Sequence, residues 1–180
     1  RERHRPRRRN MLAETRLTSD WIALNYPGRN WHLQFRVGRH PEAAGIVIED
    51  ESERRWAENF NRRIDAVIEP PPSLVMIEAK MWDAAAAIGR LMEYRLLLPA
   101  TREVAEWEAA PIEMVLLTAQ DDPIARVLCN RNGIRYVFWE PPWIDEFYAV
   151  YPQRRRKAAH PGLTDALLRQ FGGFAPEPPA

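Results

Sequence analysis

The feature that most constrains the fold is a pair of apolar runs on either side of three prolines, within residues 62–80 (RRIDAVIEPPPSLVMIEAK). Val- and Ile-rich runs separated by a proline turn predict a β-hairpin. Because side chains alternate between the faces of a strand, Glu78 and Lys80 share one face of the second strand. If the strands pair around the prolines, Asp65 lies opposite Glu78 on that face. Charged side chains are rare on otherwise apolar strands, so these three residues are candidates for a functional site.

The segments on both sides of the hairpin predict further helices and strands from their hydrophobic periodicity. Helices are predicted at residues 11–25, 83–98 and 121–130, with a charged surface helix or insertion at 49–60. Strands are predicted at residues 31–37, 45–48, 112–118 and 135–139. Asp83 is the predicted N-cap of the second helix. This order of elements predicts an α/β domain in which helices flank a mixed central β-sheet.

One acidic residue lies on the apolar side of the first predicted helix. The residues that share this helical face are Glu14, Leu17, Trp21 and Leu24. Two interpretations of Glu14 are open. It is either a carboxylate in water near a helix N-terminus, where the helix dipole favours negative charge, or a third acidic group directed toward the hairpin.

The net charge of +1 conceals basic ends and an acidic body. Residues 1–9 carry six arginines and one glutamate, a charge of +5, and residues 152–180 carry +3, which leaves −7 for residues 10–151. Such asymmetry bears on partners rather than on fold. The predicted organisation is a basic N-terminal arm at 1–10, a compact domain at 11–150, and a basic linker with a proline-rich tail at 151–180.

The basic ends predict a polyanionic partner, in the first place DNA. Guanidinium groups match the geometry of phosphate, and blocks of like charge are typical of interaction tails. The alternative is a solvated terminus or a localisation tag. The terminal residues predicted to contact nucleic acid are Arg5, Arg7, Arg8, Arg9, Arg154, Arg155, Arg156 and Lys157.

The sequence argues against several other classes of protein and site. No apolar run approaches the ~20 residues of a membrane span and no signal peptide is visible, so a cytoplasmic location without membrane contact is the default. The single Cys129 rules out an intramolecular disulfide and a cysteine zinc cluster. His32 has no second histidine at ligand spacing. One aromatic cluster is a candidate surface for a partner or for base stacking, and comprises Trp139, Trp143, Phe147 and Tyr148.

The charges on the hairpin suit the hydrolysis of a phosphodiester. That reaction needs an activated water and neutralisation of the phosphate charge, which Mg²⁺ or Mn²⁺ provides. Such ions prefer oxygen ligands, and Asp65, Glu78 and the carbonyl of Ala79 supply them. Lys80 is placed to hold the attacking water or to stabilise the developing charge. The alternative is an ion pair between Asp65 and Lys80 that needs no metal.

The spacing of these residues also resembles a known motif. Asp65, twelve intervening residues and then Glu78-Ala79-Lys80, within two β-runs, resembles the PD-(D/E)XK nuclease superfamily. The following helix carries Arg90-x-x-x-Tyr94 where members often have Gln-x-x-x-Tyr. The resemblance covers residues 11–140 and implies a restriction-endonuclease-like αβββαβ core. Glu14 matches an acidic residue that some members carry in the first helix.

The resemblance implies a metal-dependent deoxyribonuclease that uses Mg²⁺ or Mn²⁺. The catalytic residues would be Asp65, Glu78, Lys80 and Glu14, and the metal ligands would be Asp65, Glu78 and Ala79. Arg90 and Tyr94 would contact nucleic acid beside them.

Two alternatives use a similar fold without requiring catalysis. Some head-completion or neck proteins of tailed phages are similar to this nuclease fold and assemble in many copies around packaged DNA. The chain would then be a virion-associated structural protein, with or without residual activity, whose partners are DNA, copies of itself or phage assembly proteins. Its location would be the virion, whereas a nuclease would act in the host cytoplasm. A nucleic-acid binder without catalysis is the third interpretation.

Overall fold

A five-stranded mixed β-sheet forms the centre of the structure. The structure is a computed structural model, and it describes residues 5–38, 50, 62–107, 109–152, 166, 169 and 170. Residues 5–10 are described by their backbone alone. The strands, which lie side by side in chain order, are β1 (Trp31–Val37), β2 (Arg62–Ile68), β3 (Leu74–Lys80), β4 (Ile112–Thr118) and β5 (Ile134–Phe138). β1, β2 and β3 are antiparallel neighbours, whereas β4 runs parallel to β3 and β5 runs parallel to β4.

Helices pack against both faces of this sheet, which confirms the predicted α/β architecture. They are α1 (Arg5–Asn25), α2 (Ala86–Leu97), α3 (Pro123–Arg131) and α4 (Ile144–Val150), with 3₁₀ turns at Leu98–Ala100 and Arg102–Trp107. α1 begins at Arg5 rather than at residue 11, so part of the predicted basic arm continues the first helix. Arginine favours helix, and Pro6 lies in the first turn, where its missing N–H costs no hydrogen bond. Among the helices within the described residues, none has the length and hydropathy that a bilayer crossing requires.

Two apolar layers lie on opposite faces of the sheet. α1 and α4 cover one face, and α2 and α3 cover the other. β3 is buried on both sides: Leu74 and Met76 pack in the layer of α2, whereas Val75 and Ile77 pack in the layer of α1. A strand in this position has almost no access to water, so each of its polar side chains needs a partner within the protein.

The predicted hairpin is present as β2 and β3. Their backbone pairing runs from Ile68↔Val75 to Ala66↔Ile77 and ends there. The same register, continued by one pair, would set Asp65 opposite Glu78. At that point the N–H of Ala79 donates instead to the Asp65 carboxylate, with 2.9 Å between the nitrogen and Oδ2. A carboxylate side chain therefore takes over from the backbone ladder at the end of β3.

The edge strand β1 changes faces halfway along its length. Leu33 packs in the layer of α1, whereas Phe35 packs in the layer of α2. Strict alternation would put both side chains on one face. Between them Gln34 has a φ of 52°, a value that non-glycine residues seldom adopt. The paired strand β2 makes the same change at Asp65. Ala66, which follows Asp65, packs in the layer of α1, whereas Ile64, which precedes Asp65, packs in the layer of α2.

Several expectations about individual elements need correction. Leu24 is 68% exposed, and the buried face of α1 is formed by Ala13, Leu17, Thr18, Trp21 and Ile22. Asp83 does not cap α2, because its φ is 57° and the helix begins three residues later behind Ala85. The strand predicted at 45–48 and nearly all of the charged segment at 49–60 lie outside the described residues.

Candidate functional site

Three carboxylates converge on one ammonium group at the end of the hairpin. The Nζ atom of Lys80 lies 2.9 Å from Glu78 Oε1, 3.8 Å from Asp65 Oδ2 and 3.9 Å from Glu14 Oε2. We call these four residues the acidic cluster. They come from α1, β2 and β3, so the fold brings together all four residues that the sequence singled out as catalytic.

Asp65 is held by two neighbouring strands. Its Oδ2 accepts from the backbone N–H of Ala79, and its Oδ1 accepts from the side-chain amide of Gln34 at 3.1 Å. Gln34 was not identified from the sequence. Its positive φ turns β1 toward Asp65, and backbone strain of this kind is often found at functional sites. Because polar and apolar residues alternate along β1, Gln34 falls at an ordinary polar position, and no sequence signal pointed to it.

Glu78 is the most deeply buried member of the acidic cluster, with 1% of its side chain exposed. Its Oε1 accepts from Lys80 and, at 3.2 Å, from Nη1 of Arg90. Burial raises the pKa of Glu78, and the charge of Asp65 adds to this effect, while Lys80 and Arg90 oppose it. Its Oε2 is buried and has no hydrogen-bond partner. A buried acceptor without a partner is costly, so this oxygen is a natural ligand for a bound group.

Glu14 faces the hairpin rather than water, which decides between the two interpretations of this residue. Its side chain is 20% exposed, and its Oε1 lies 3.4 Å from the backbone nitrogen of Met81, which donates to it. Burial raises the pKa of Glu14 to about 7, against the attraction of Lys80 and with a smaller contribution from Asp65. Glu14 is therefore a carboxyl group that changes charge close to neutral pH.

Lys80 carries the positive charge at the centre of the acidic cluster. Its side chain is 13% exposed, and its Nζ also donates to the carbonyl of Ala79 at 2.7 Å. Burial lowers the pKa of Lys80, but the attraction of Glu78, Glu14 and Asp65 outweighs burial and the net shift is upward. The ammonium therefore stays protonated and neutralises part of the surrounding negative charge.

The donor set suits a hard cation, although Lys80 now contacts the same oxygens. Asp65, Glu78 and the carbonyl of Ala79 offer the oxygen ligands that Mg²⁺ prefers. The Oε2 atom of Glu78, which has no hydrogen-bond partner, is available as one of these ligands. Across the described residues, no group of three or more His, Cys, Asp or Glu side chains is arranged to hold a metal ion. A cation would have to displace Lys80 from Glu78 and Ala79.

An open cleft lined by arginines adjoins the acidic cluster. Its volume is about 380 Å³, and its lining residues are Arg62, Arg63, Arg90, Glu93 and Tyr94. We call it the arginine cleft. Arg90 belongs to both places, because its guanidinium lines the cleft and donates to Glu78. Arg62 and Arg63 were not predicted as binding residues, since the cleft arises only where the start of β2 packs beside α2.

The other predicted nucleic-acid contacts have different outcomes. Tyr94 is 4% exposed and lines the arginine cleft, as does Arg90. The side chains of Arg5, Arg7, Arg8 and Arg9 lie outside the described part of the chain, as do all atoms of Arg154, Arg155, Arg156 and Lys157. Their contacts with nucleic acid therefore stay a prediction.

The remaining candidates have structural roles. His32 lies 2.6 Å from Glu69 through Nε2 and stacks with Trp107 at the edge of the sheet. Burial raises the pKa of Cys129 to about 12, which disfavours a thiolate nucleophile. The expected aromatic surface is wrong for two of its members, since Trp143 and Tyr148 are buried in the layer of α1. They are core residues because α4 turns back onto that face of the sheet.

Comparisons with known proteins add little to this geometry. No protein-family model matches the chain, and no curated protein matches it. Among solved structures, the chain is similar to the crystal structure of AF1548, a protein of unknown function, with 14% sequence identity and a TM-score of 0.42. The match covers 87% of this chain and 78% of that chain. A likeness at this level does not assign a family or a function.

Proposed function

We propose that the chain is a metal-dependent deoxyribonuclease of the PD-(D/E)XK type, built on a restriction-endonuclease-like αβββαβ core. The observation that carries the proposal is the convergence of Glu14, Asp65 and Glu78 on Lys80. The order α1, β1, β2, β3, α2, β4 is the order of elements that such a core would have, which supports the proposal. A chance Asp…Glu-x-Lys pattern would have no reason to assemble with a glutamate from a distant helix.

The residues of the acidic cluster divide the chemistry between them. Asp65 and Glu78 would hold Mg²⁺ or Mn²⁺ through carboxylate oxygens, with the carbonyl of Ala79 as a further donor. Such an ion, when bound, neutralises phosphate charge and lowers the pKa of a water ligand. Lys80, once it has left Glu78, orients the attacking water or stabilises charge on the phosphate. Glu14 keeps the Lys80 ammonium at the cluster from the side of α1.

Substrate binding is assigned to the basic residues around the acidic cluster. Arg90 and Tyr94 lie beside Glu78, and the terminal arginines supply further positive charge. Positive charge is required, because the body of the chain carries −7 and would repel a phosphate backbone. DNA binding is therefore expected to weaken steeply with salt concentration.

The proposal is tested by DNA cleavage with matched variants. Purified protein with Mg²⁺ or Mn²⁺ should nick supercoiled plasmid, and Lys80→Ala and Glu78→Gln should each lower the rate by about 100-fold or more, the scale of a lost catalytic group. Glu113→Gln is the control, since Glu113 is also a strand carboxylate bound to an arginine, Arg135, but lies at the start of β4. Absence of cleavage by the folded protein, or equal rates for Glu78→Gln and Glu113→Gln, would exclude the nuclease.

A DNA-binding structural component of a phage virion is the second candidate. It is favoured by the position of Lys80, whose ammonium lies among the carboxylates where a metal would bind, as expected of a site that no longer cuts. This function predicts a stoichiometric ring or particle, formed with copies of itself or with phage assembly proteins. Asp65→Ala would leave assembly intact, and a protein that cuts DNA as a monomer would argue against it.

A further inference from the structure

The arginine cleft contains more positive charge than its own residues neutralise. Three arginines, Arg62, Arg63 and Arg90, line it together with one acidic residue, Glu93. Arg62 donates through Nε to Glu93 Oε1 at 2.7 Å, and Arg90 donates to Glu78. Because a guanidinium has five N–H donors, each of these arginines retains donors for a ligand. The side chains of Arg62 and Arg90 are 53% and 58% exposed, so these donors are accessible from solvent.

The neighbouring strand adds to the excess positive charge. Arg36 on β1 lies directly across from Arg63 on β2, and both are exposed. Like charges placed opposite each other destabilise a sheet. Within the ranges that the structure describes, neither arginine forms an ion pair. The Arg36–Arg63 pair therefore adds positive charge near the start of β2 that favours the approach of an anion from solvent.

Tyr94 gives the cleft a neutral hydrogen-bond donor. Its ring is buried in the layer of α2, and its residue lines the cleft beside Arg90. Burial raises the pKa of the Tyr94 hydroxyl, so the group stays protonated. Arginine forks together with a phenolic hydroxyl are suited to a phosphate group, which presents several acceptor oxygens.

We propose that the arginine cleft is a phosphate subsite that holds one phosphate of a nucleic-acid strand beside the acidic cluster. Arg90 joins the two places, since it lines the cleft and donates to the carboxylate that binds Lys80. Nucleic acid as the ligand rests on the proposed function, whereas phosphate binding by the cleft does not require cleavage. Glu93 occupies the position of an internal anion, and the incoming phosphate competes with it for Arg62.

The test measures binding of short single-stranded DNA in EDTA, where a metal-dependent enzyme cannot cut, by fluorescence anisotropy. Arg62→Ala should weaken binding about tenfold, the value of one charge-assisted contact. It should also lower the slope of log K against log salt concentration by about 0.7, as one lost phosphate contact does for a single strand. Tyr94→Phe should weaken binding by a smaller factor, and Glu93→Gln should strengthen it.

Arg102→Ala is the matched control, because Arg102 is exposed on the 3₁₀ turn outside the cleft. Arg62→Ala that binds DNA as tightly and with the same salt slope as Arg102→Ala would overturn the proposal. Arg62 is exposed, so its removal should leave the fold intact even if Arg90→Ala proves unstable. Thermal unfolding of each variant checks this point.

The ligands themselves distinguish two sources of the phosphate. Oligonucleotides ending in a 5′-phosphate, a 3′-phosphate or only hydroxyl groups are compared. If one terminal phosphate increases the affinity and Arg62→Ala removes this increase, a terminal phosphomonoester lies in the cleft. If the three oligonucleotides bind with equal affinity and Arg62→Ala weakens their binding equally, an internal phosphodiester lies in the cleft.

The failure of this inference and that of the nuclease can be told apart. If the wild-type protein never cuts DNA and Arg62→Ala weakens DNA binding, the phosphate subsite would be supported and the nuclease excluded. If the wild-type protein cuts DNA and Arg62→Ala binds DNA normally, the nuclease would be supported and the phosphate subsite excluded.

Discussion

The carboxylate of Asp65 accepts the backbone N–H of Ala79 at 2.9 Å, where the ladder between β2 and β3 has ended. One side chain thereby performs two tasks: it completes the hydrogen bonding of a buried strand, and it presents charge to Lys80. The residue proposed to bind metal is thus also part of the sheet, so its substitutions should separate structure from chemistry.

Asp65→Ala should destabilise the protein more than Asp65→Asn. Alanine leaves the N–H of Ala79 without an acceptor, which costs about 1–3 kcal/mol for a buried donor. Asparagine retains a carbonyl oxygen for that bond but loses the negative charge. The free energy of unfolding, measured by urea denaturation, should therefore fall in the order wild type, Asp65→Asn, Asp65→Ala. Equal values for the two variants would show that the bond contributes nothing.

The pKa of Glu14 predicts how stability depends on pH. Because the pKa of Glu14 is about 7 in the folded protein and 4.5 in an ordinary solvent-exposed glutamate, the folded state binds the proton more tightly. Its contribution to stability is present below pH 4.5 and is lost as the pH rises to 7, by up to about 3 kcal/mol. Glu78 has a pKa raised in the same direction. Glu14→Gln should flatten the decline in unfolding free energy between pH 5 and 7, and an unchanged slope would contradict this assignment.

Removal of Lys80 should strengthen metal binding while it abolishes cleavage. The ammonium lies within 3.9 Å of three carboxylates and repels any cation that approaches them. Titration calorimetry with Mn²⁺ should give a several-fold lower Kd for Lys80→Ala than for wild type and a much higher Kd for Glu78→Gln. Weaker binding by Lys80→Ala would show that Lys80 supports the metal rather than competing with it.

Two leucines on one face of α1 should respond differently to truncation. Leu17 is fully buried, so Leu17→Ala should cost about 2–5 kcal/mol of unfolding free energy. Leu24→Ala on the same helix is the control, because Leu24 is 68% exposed and should change stability by about 0.5 kcal/mol or less. A comparable loss in both variants would mean that Leu24 is covered in solution.

The sequence predicted the parts of the site that depend on local periodicity. Alternation along β3 places Glu78 and Lys80 on one face, and the proline turn sets Asp65 near them. The contribution of Gln34 could not be foreseen, because it depends on a positive φ that reverses the faces of β1. The cleft around Arg62 was equally hidden, since it arises from packing between β2 and α2.

Errors about burial have a similar origin. Leu24 and Trp143 are both large apolar residues, yet one is exposed and the other is a core residue bonded through Nε1 to Asp20 at 2.8 Å. Hydrophobic periodicity indicates which face of a helix is apolar, but not how far along the helix that face is covered. It therefore does not tell which end of α1 is buried. Trp143 is buried because the chain at the start of α4 returns onto the sheet, and no short-range pattern encodes that return.

The change of faces at Gln34 gives the edge strand an uncommon place in the energetics of folding. β1 contributes Leu33 to one apolar layer and Phe35 to the other, so release of this single strand withdraws contacts from both layers at once. An edge strand that served one layer could fray while the rest of the protein stayed folded. Here fraying should be coupled to global unfolding, and exchange of those β1 amides that donate to β2 should then be nearly as slow as that of the central strands.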